Sequence, residues 1–310
     1  MTTDLRVSVI IPVYQGADFV LSAIHSVLSQ AGEDLEIIVV DDASPDDAAR
    51  RVAALGDARV HLVRHPHNRG IAAARNSGLA AARGEFVAFL DQDDLWIPGR
   101  LSRQLAALAA DAPADVVIGD MVVRCADGRE LVRRAGLSPL AERDARSLLA
   151  HLIADGTVSL GSSLLRRSCL DAAGSFDQSI RGGADDFDML VRLAEVGRFR
   201  YLPGATLVWR LHDGNFTSAQ RMMDEVLAII DRVAQRHGFD AAARTGRARC
   251  YYRRAMEHYV NGERAAALSD FRIALAQVPR HARARLGWLA CLAGVDGRRA
   301  LRLWGRLRGA

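Results

Sequence analysis

Three carboxylates fall within four positions at Asp91-Gln92-Asp93-Asp94, directly after an apolar, strand-forming run over residues 86–90. Strand alternation points Asp91 and Asp93 the same way, and carboxylates that close repel unless a cation, a strong donor or bulk water screens them. Hard oxygen ligands in an open cluster suit Mg2+ or Mn2+ carrying a substrate phosphate; capping of the next helix by Asp is the plainer alternative. A second acidic group, Asp185, Asp186 and Asp188, follows Gly182-Gly183 and runs straight into a helical pattern. Acids stabilise helix starts, but glycines also let a backbone approach a ligand, and Asp185 or Asp186 could then act as a base. Asp41-Asp42 close an earlier apolar run, where a carboxylate can accept from a base N–H or a ribose hydroxyl. Arg75 lies in the first two turns of an alanine-rich helical pattern behind Asn68-Arg69-Gly70, and Arg210 and His212 follow a late strand. An arginine near a helix start suits a diphosphate, and a histidine at a strand end suits metal or phosphate.

Placing these groups together takes strands that end where they stand. Residues 7–13 and 35–40 are continuous apolar strands; helical spacing follows the first over 19–28, and Ser44-Pro45 after the second predicts an N-cap and a first helical residue. A strand at 59–63, a helix at 71–82, the strand at 86–90 and a helix at 100–110 opened by Trp96 and Pro98 continue the alternation. Such a chain is α/β, with a parallel sheet covered on both faces and ligands at the carboxyl ends of its strands. A strand pair, 114–123 with 130–134 around Asp127-Gly128, ends the regular pattern. A helix at 142–154, a strand at 161–165, a helix at 167–173 and a strand at 206–209 follow. From about Ser218 the chain is rich in Ala, Arg and Leu and reads as all helical, with amphipathic stretches at 222–235, 248–260 and 264–277 broken at Gly238 and Asn261-Gly262. Ala267, Phe271, Ala274 and Pro279 sit at the offsets of a tetratricopeptide-like helix pair, with ordinary helical-hairpin packing as the simpler reading.

With 310 residues, half of them apolar, the chain can bury a substantial core as one large domain or two smaller ones. Its net charge is +4, and all 41 basic residues are arginine, whose forked donors suit phosphate and carboxylate partners. Cys125, Cys169, Cys250 and Cys291 are too far apart for a paired metal motif and imply a reducing compartment. The first residues lack a signal-peptide layout, and no run approaches the roughly 18 apolar residues of a spanning helix, so a cytoplasmic location is expected. From Arg280 onward arginine interleaves with Leu286, Trp288, Leu289, Leu301, Leu303 and Trp304, which suits either a packing helix or the anionic inner face of the cytoplasmic membrane. No nucleic-acid module accompanies the charge, and no nucleic acid is expected as a partner.

Four stretches, in this order, carry a resemblance: Val9-Ile10-Ile11-Pro12-Val13-Tyr14; Ile38-Val39-Val40-Asp41-Asp42-Ala43-Ser44; Asn68-Arg69-Gly70 with Ala74-Arg75-Asn76; and Phe89-Leu90-Asp91-Gln92-Asp93-Asp94. Together they make residues 6–217 similar to the family 2 glycosyltransferases. The resemblance implies a GT-A nucleotide-diphospho-sugar-binding domain over residues 1–217, a Rossmann-like, mainly parallel sheet with helices on both faces, followed by an all-helical C-terminal region over 218–310. It implies an inverting, Mn2+- or Mg2+-dependent transfer from a nucleotide-diphospho-sugar, a UDP-sugar favoured, to a hydroxyl of a glycan or lipid-linked acceptor in cell-surface polysaccharide or glycoconjugate synthesis. Pro12, Val13, Tyr14, Asn68, Gln92 and one of Asp41 and Asp42 would then surround the nucleoside, with Arg75 near the diphosphate. Asp93 would be the direct metal ligand, Asp91 would lie nearer the ribose while sharing the metal site, and His212 would stand beside them. Asp94, Gly183 and Arg210 would face the donor sugar and diphosphate. Asp186 would be the base, supported on the acceptor side by Asp185 and Trp96; the family usually shows Glu-Asp here, where this chain has Asp185-Asp186. Acceptor choice would rest on loops around Trp96, 137–144 and 157–163. A non-catalytic sugar-nucleotide-binding or assembly protein of the same fold is the alternative. A receiver domain would need a lysine, a dinucleotide dehydrogenase a Gly-rich turn in place of Pro12-Val13-Tyr14-Gln15-Gly16, and a nucleotidyltransferase a Gly-rich loop with an activating lysine; none is present.

Overall fold

Val7–Val13 (β1) and Leu35–Asp41 (β2) are buried along their whole length, as strands with elements on both sides must be. Between them runs Val20–Leu28 (α1); Ala48–Ala53 (α2), Val60–Arg64 (β3), Ile71–Ala81 (α3) and Phe86–Phe89 (β4) complete the first half of the fold. Leu95–Trp96 (β5), Arg100–Ala109 (α4), Val116–Arg124 (β6), Glu130–Arg133 (β7) and Ala145–Asp155 (α5) come next. A single 3-10 turn at Leu160–Ser162 leads into Ser163–Arg166 (β8), Arg167–Ala173 (α6), Asp185–Val196 (α7) and Phe199–Arg210 (β9). Ala219–His237 (α8), Asp240–Val260 (α9), Arg264–Gln277 (α10) and Ala282–Leu292 (α11) follow without a strand among the described residues. The structure is a computed structural model, and it describes residues 6–30, 34–109, 114–133, 145–155, 159–212 and 219–298. The expected helix start at residues 142–144, the acceptor loop at 137–144, Thr157 and the tail residues Leu301, Leu303 and Trp304 lie outside them.

The chain divides into two units, residues 1–149 with 157–215, and residues 150–156 with 216–310. In the first, the strands form one sheet in the order β3-β2-β1-β4-β8-β6-β9-β5, with β7 attached to β6. β1 pairs in parallel with β2 and β4, and β2 with β3; β8 is antiparallel to both β4 and β6, so the parallel half expected from the sequence continues into a mixed half. From β1 the chain steps outward to β2 and β3 and then returns to the other side as β4. That reversal makes the carboxyl ends of β1 and β4 a topological switch point, the usual ligand position in such sheets. Register aligns Val13 with Asp41 and Ile10 with Phe89, so Tyr14, Asp42 and Asp91 all leave the sheet at this edge.

Helix α3 approaches the strands closely because its inner face is Ala72, Ala73, Ala74 and Gly78; a Cβ on Gly78 would lie 2.4 Å from Ile10 Cγ2. Small residues there bring Arg75 down to the strand ends. Helix α2 differs from expectation. It begins at Ala48, not at Pro45, because the Ser44 hydroxyl accepts from Gln15 N–H (3.1 Å) while Asp46 accepts from both Ala17 N–H (2.9 Å) and Ala48 N–H (3.2 Å). The residues read as a cap thus tie two loops together.

Trp96, expected on the acceptor side, is buried at 3% exposure in β5, paired to β9, with the Arg100 guanidinium 4.1 Å from its ring centre. Its ring is core and cannot stack on a sugar. Arg100 is itself fully buried and donates to Gln104 Oε1 and to the carbonyls of Gly161, Ser163 and Thr206. Burial draws its guanidinium down to about 9, still protonated at neutral pH.

In the second unit, Ala255, Tyr259, Ala267, Phe271, Ala274, Ala284 and Cys291 form the core, which includes three residues at the tetratricopeptide-like offsets. No helix among the described residues is long and apolar enough to cross a membrane. Arg100→Leu should lower the melting temperature by roughly 5–10 °C, because several buried carbonyls lose their donor; a thermal melt at the wild-type midpoint would show that Arg100 does not hold this region.

Candidate active site

At the end of β1 the chain turns through Tyr14-Gln15-Gly16, and this loop is fixed by Gln92 from the next strand end. Tyr14 N–H donates to Gln92 Oε1 (2.9 Å), and Gln92 Nε2 donates to the Tyr14 carbonyl (3.0 Å). Gly16 is needed there, since a Cβ would sit 2.2 Å from that Oε1. Gln92, expected at the nucleotide, has its amide taken up by the Tyr14 backbone. Gln15 (φ 54°) and Ala43 (φ 58°) are the non-glycine residues held at positive φ among those described, on adjacent strand ends. Each such conformation costs about 1–2 kcal/mol, and strain of this kind gathers at binding sites.

The structure separates the roles of Asp41 and Asp42. Asp42 accepts from Arg69 N–H (2.9 Å) and Gly70 N–H (2.8 Å) and meets His65 Nδ1 at 2.6 Å, while His65 Nε2 reaches Ser77 Oγ at 2.8 Å. Its carboxylate is taken up in holding the entry to α3. Asp41 accepts from Ser44 N–H (3.1 Å) and from Arg64 Nε (3.2 Å), a side chain that is 64% exposed and displaceable. Pro12 and Val13 are buried in β1, Tyr14 is 43% exposed beside them, and Asn68 is exposed.

The acidic cluster is a turn and not a strand end. β4 stops at Phe89, and Asp94 N–H donates to the Asp91 carbonyl (3.0 Å), so the side chains do not alternate as expected. Asp91 turns to Arg75 Nη2 (2.8 Å), and Asp93 turns to His212 Nε2 (3.0 Å). Asp94 is buried and accepts from Arg210 N–H (3.1 Å), while Arg210 Nε donates to the Asp93 carbonyl. Burial pushes the Asp93 carboxyl above its ordinary range, helped by the charge of Asp91; Asp94 is pushed well above it by burial and by Asp91 and Asp93 together. Phe19, at the entry to α1, stacks on His212 with ring centres 4.5 Å apart and lies 5.2 Å from the Arg210 guanidinium carbon. The sequence gives no hint of Phe19, since an aromatic beside a helix start reads as core.

Arg75 does not face open space where a diphosphate would lie. It is 4% exposed, with Nη1 on Asp185 Oδ2 (2.5 Å) and Nη2 on Asp91, and its guanidinium lies 5.6 Å from the Phe176 ring centre. Asn76 fixes that neighbour, exchanging two hydrogen bonds with the Phe176 backbone (2.8 and 2.9 Å). Burial alone would lower the Arg75 pKa, but Asp185, Asp91 and Asp186 outweigh it and the net shift is upward. Gly183, at φ 102°, turns the chain into α7, whose first residues are Asp185 and Asp186. Asp185 is buried on Arg75. Asp186 is partly exposed, and burial, with the charges of Asp185 and Asp91 beyond what Arg75 offsets, lifts its carboxyl to about 7. Among the described residues no three His, Cys, Asp or Glu side chains converge as a ready metal cage.

Acids and strained loops gathered at the topological reversal of a mixed α/β sheet are what the nucleotide-sugar transferase class of folds presents. A family model described as Glycosyl transferase family 2 matches residues 8–170, and the chain belongs to that family. It is 32% identical over 248 residues to the succinoglycan biosynthesis protein ExoO of Rhizobium meliloti (strain 1021), covering 76% of this chain and 70% of that one. In fold it is similar to S. aureus TarS 1–349 in complex with UDP-GlcNAc (TM-score 0.63, 18% identity, 98% of this chain and 92% of that one). It is also similar to the mannosyltransferase PcManGT from Pyrobaculum calidifontis in complex with GDP-Man and Mn2+ (TM-score 0.62, 21% identity, 99% and 85%).

Arg75→Ala should cost about 3 kcal/mol in stability, because it strands the buried Asp185 without its partner, and Arg75→Lys should not restore it, since one ammonium cannot fork to both acids. Urea unfolding reads this; full stability with lost donor binding would instead put Arg75 on the diphosphate.

Proposed function

We propose that this transferase moves a sugar from a nucleotide-diphospho-sugar, a UDP-sugar first, to a hydroxyl of a glycan or lipid-linked acceptor, with inversion at the anomeric carbon, in the synthesis of a cell-surface polysaccharide. The observation that carries the reading is Asp186, a carboxyl lifted to about 7 at the start of α7. A base works best when its pKa lies near the operating pH, and this one is also partly exposed, so an acceptor can reach it. Asp186 takes the proton of the acceptor hydroxyl as that oxygen bonds to the anomeric carbon. The bond from that carbon to the diphosphate oxygen breaks on the opposite side, which inverts the configuration. Burial and, after it, the charge of Asp185 beside the base raise the Asp186 pKa.

Asp41, beneath the exposed Arg64 side chain, and the Tyr14 loop would hold the nucleoside. For a divalent cation the donor types suit, though no ready cage is formed among the described residues: burial and the charge of Asp91 raise the Asp93 and Asp94 carboxyls, a cation would relieve both, and a carboxylate with an imidazole suits Mn2+. Asp93 and His212 would hold it, with Asp91 alongside, and it would supply positive charge to the departing diphosphate. The Mn2+ complex of PcManGT supports this choice. The side chains of Arg210 and Asp94 and the backbone at Gly183 would line the sugar and diphosphate.

Asp186→Asn should lower kcat by about 10²–10⁴-fold while UDP binding is kept; transfer at the wild-type rate would remove Asp186 as the base, and binding of a nucleotide sugar with no transfer or hydrolysis by the wild type would favour a non-catalytic protein. Because the base must be unprotonated, kcat/KM should fall about tenfold per pH unit below 7 and level off above it, in the wild type. A thermal-shift series of UDP with and without Mn2+ should show a metal-dependent rise that Asp93→Ala loses. An equal shift with and without Mn2+ in the wild type would refute the metal assignment.

A further inference from the structure

Of the large apolar side chains exposed among the described residues, three stand on α11: Leu286 (55%), Leu289 (55%) and Leu292 (46%). The helix packs inward through Ala284, Gly287 and Cys291; a Cβ on Gly287 would meet Phe271 Cζ at 2.5 Å. At 3.6 residues per turn, Ala282, Leu286, Leu289 and Ala293 then share the outward face, with Arg283 and Arg285 on its two flanks, all of them exposed. Exposed leucines edged by arginine on both sides can enter a lipid headgroup layer while the arginines meet its phosphates.

Charge decides between the possible occupants. No acid lies between Arg280 and Val295, and from Arg280 to Ala310 the chain carries eight arginines and a single acid, Asp296. A second copy would set Arg283 and Arg285 against the same arginines. The arginines suit an anionic partner, and leucines at the centre of the face favour lipid over nucleic acid. We infer that the outward face of α11 docks this protein on an anionic membrane surface, Leu286 and Leu289 entering the headgroup boundary while Arg283 and Arg285 meet lipid phosphates. This is independent of the catalytic reading, and it fits a lipid-linked acceptor.

The test is sedimentation of the full chain with vesicles of phosphatidylcholine alone or with about one third phosphatidylglycerol, at low and high salt. The wild type should sediment with the anionic vesicles at low salt, stay in solution with the neutral ones, and be partly released by salt. L286S/L289S should reduce the bound fraction about tenfold or more, and R283E/R285E should reduce it as well, while both variants keep the wild-type melting temperature and transfer to a soluble acceptor. A wild type that stays in solution with anionic vesicles overturns the inference. So does binding by L286S/L289S equal to that of the wild type, which would move the contact off α11, or a lipid-free dimer that this variant dissolves, which would make the face a contact between copies.

Discussion

The site depends on one buried guanidinium. Seven carboxylates, Asp41, Asp42, Asp91, Asp93, Asp94, Asp185 and Asp186, sit at one edge of the sheet, and each must be ionised against a partner or be left protonated. Arg75 binds Asp91 and Asp185 together, Asp42 is met by two backbone N–H groups and His65, Asp94 by Arg210 N–H, and Asp93 by His212. Asp186 is raised by burial and by the charge of Asp185, and Arg75, already shared between two acids, offsets this only in part. Its proton is therefore held more tightly than an ordinary carboxyl's. Burial, with a carboxylate neighbour whose own cation is already shared, thus leaves a carboxyl of raised pKa at the start of α7.

The sequence made the scaffold legible because the scaffold is apolar. Continuous runs such as Val7–Val13 can be buried only as central strands, and acids directly after them can only lie at strand ends. What it could not convey was which polar groups look inward. Arg75 and Arg100 resemble surface arginines in sequence, yet both are buried, because their partners come from 16 to 110 positions away in one case and up to 106 in the other. Trp96 misled for a related reason. The resemblance put it on the acceptor side, whereas the pairing of β5 with β9 places it inside. The turn at Asp91–Asp94 defeated the alternation rule because a strand's period holds only while the ladder does, and the β1–β4 ladder ends at Phe89.

Asp185 shows how the helix packing sets the chemistry. Family resemblance leads one to expect the longer Glu at this position, and a shorter side chain should leave a gap to its partner. No gap is present: Asp185 and Arg75 meet at 2.5 Å. The reason lies on α3, where Ala72, Ala73, Ala74 and Gly78 remove the side-chain bulk that would hold the helix away from β1. A helix seated that deeply carries Arg75 within reach of Asp185 on one side and Asp91 on the other. Close packing of alanines against a strand, a feature that reads as mere composition in the sequence, therefore fixes the distance between the turn after β4 and the start of α7, and with it the charge that surrounds Asp186.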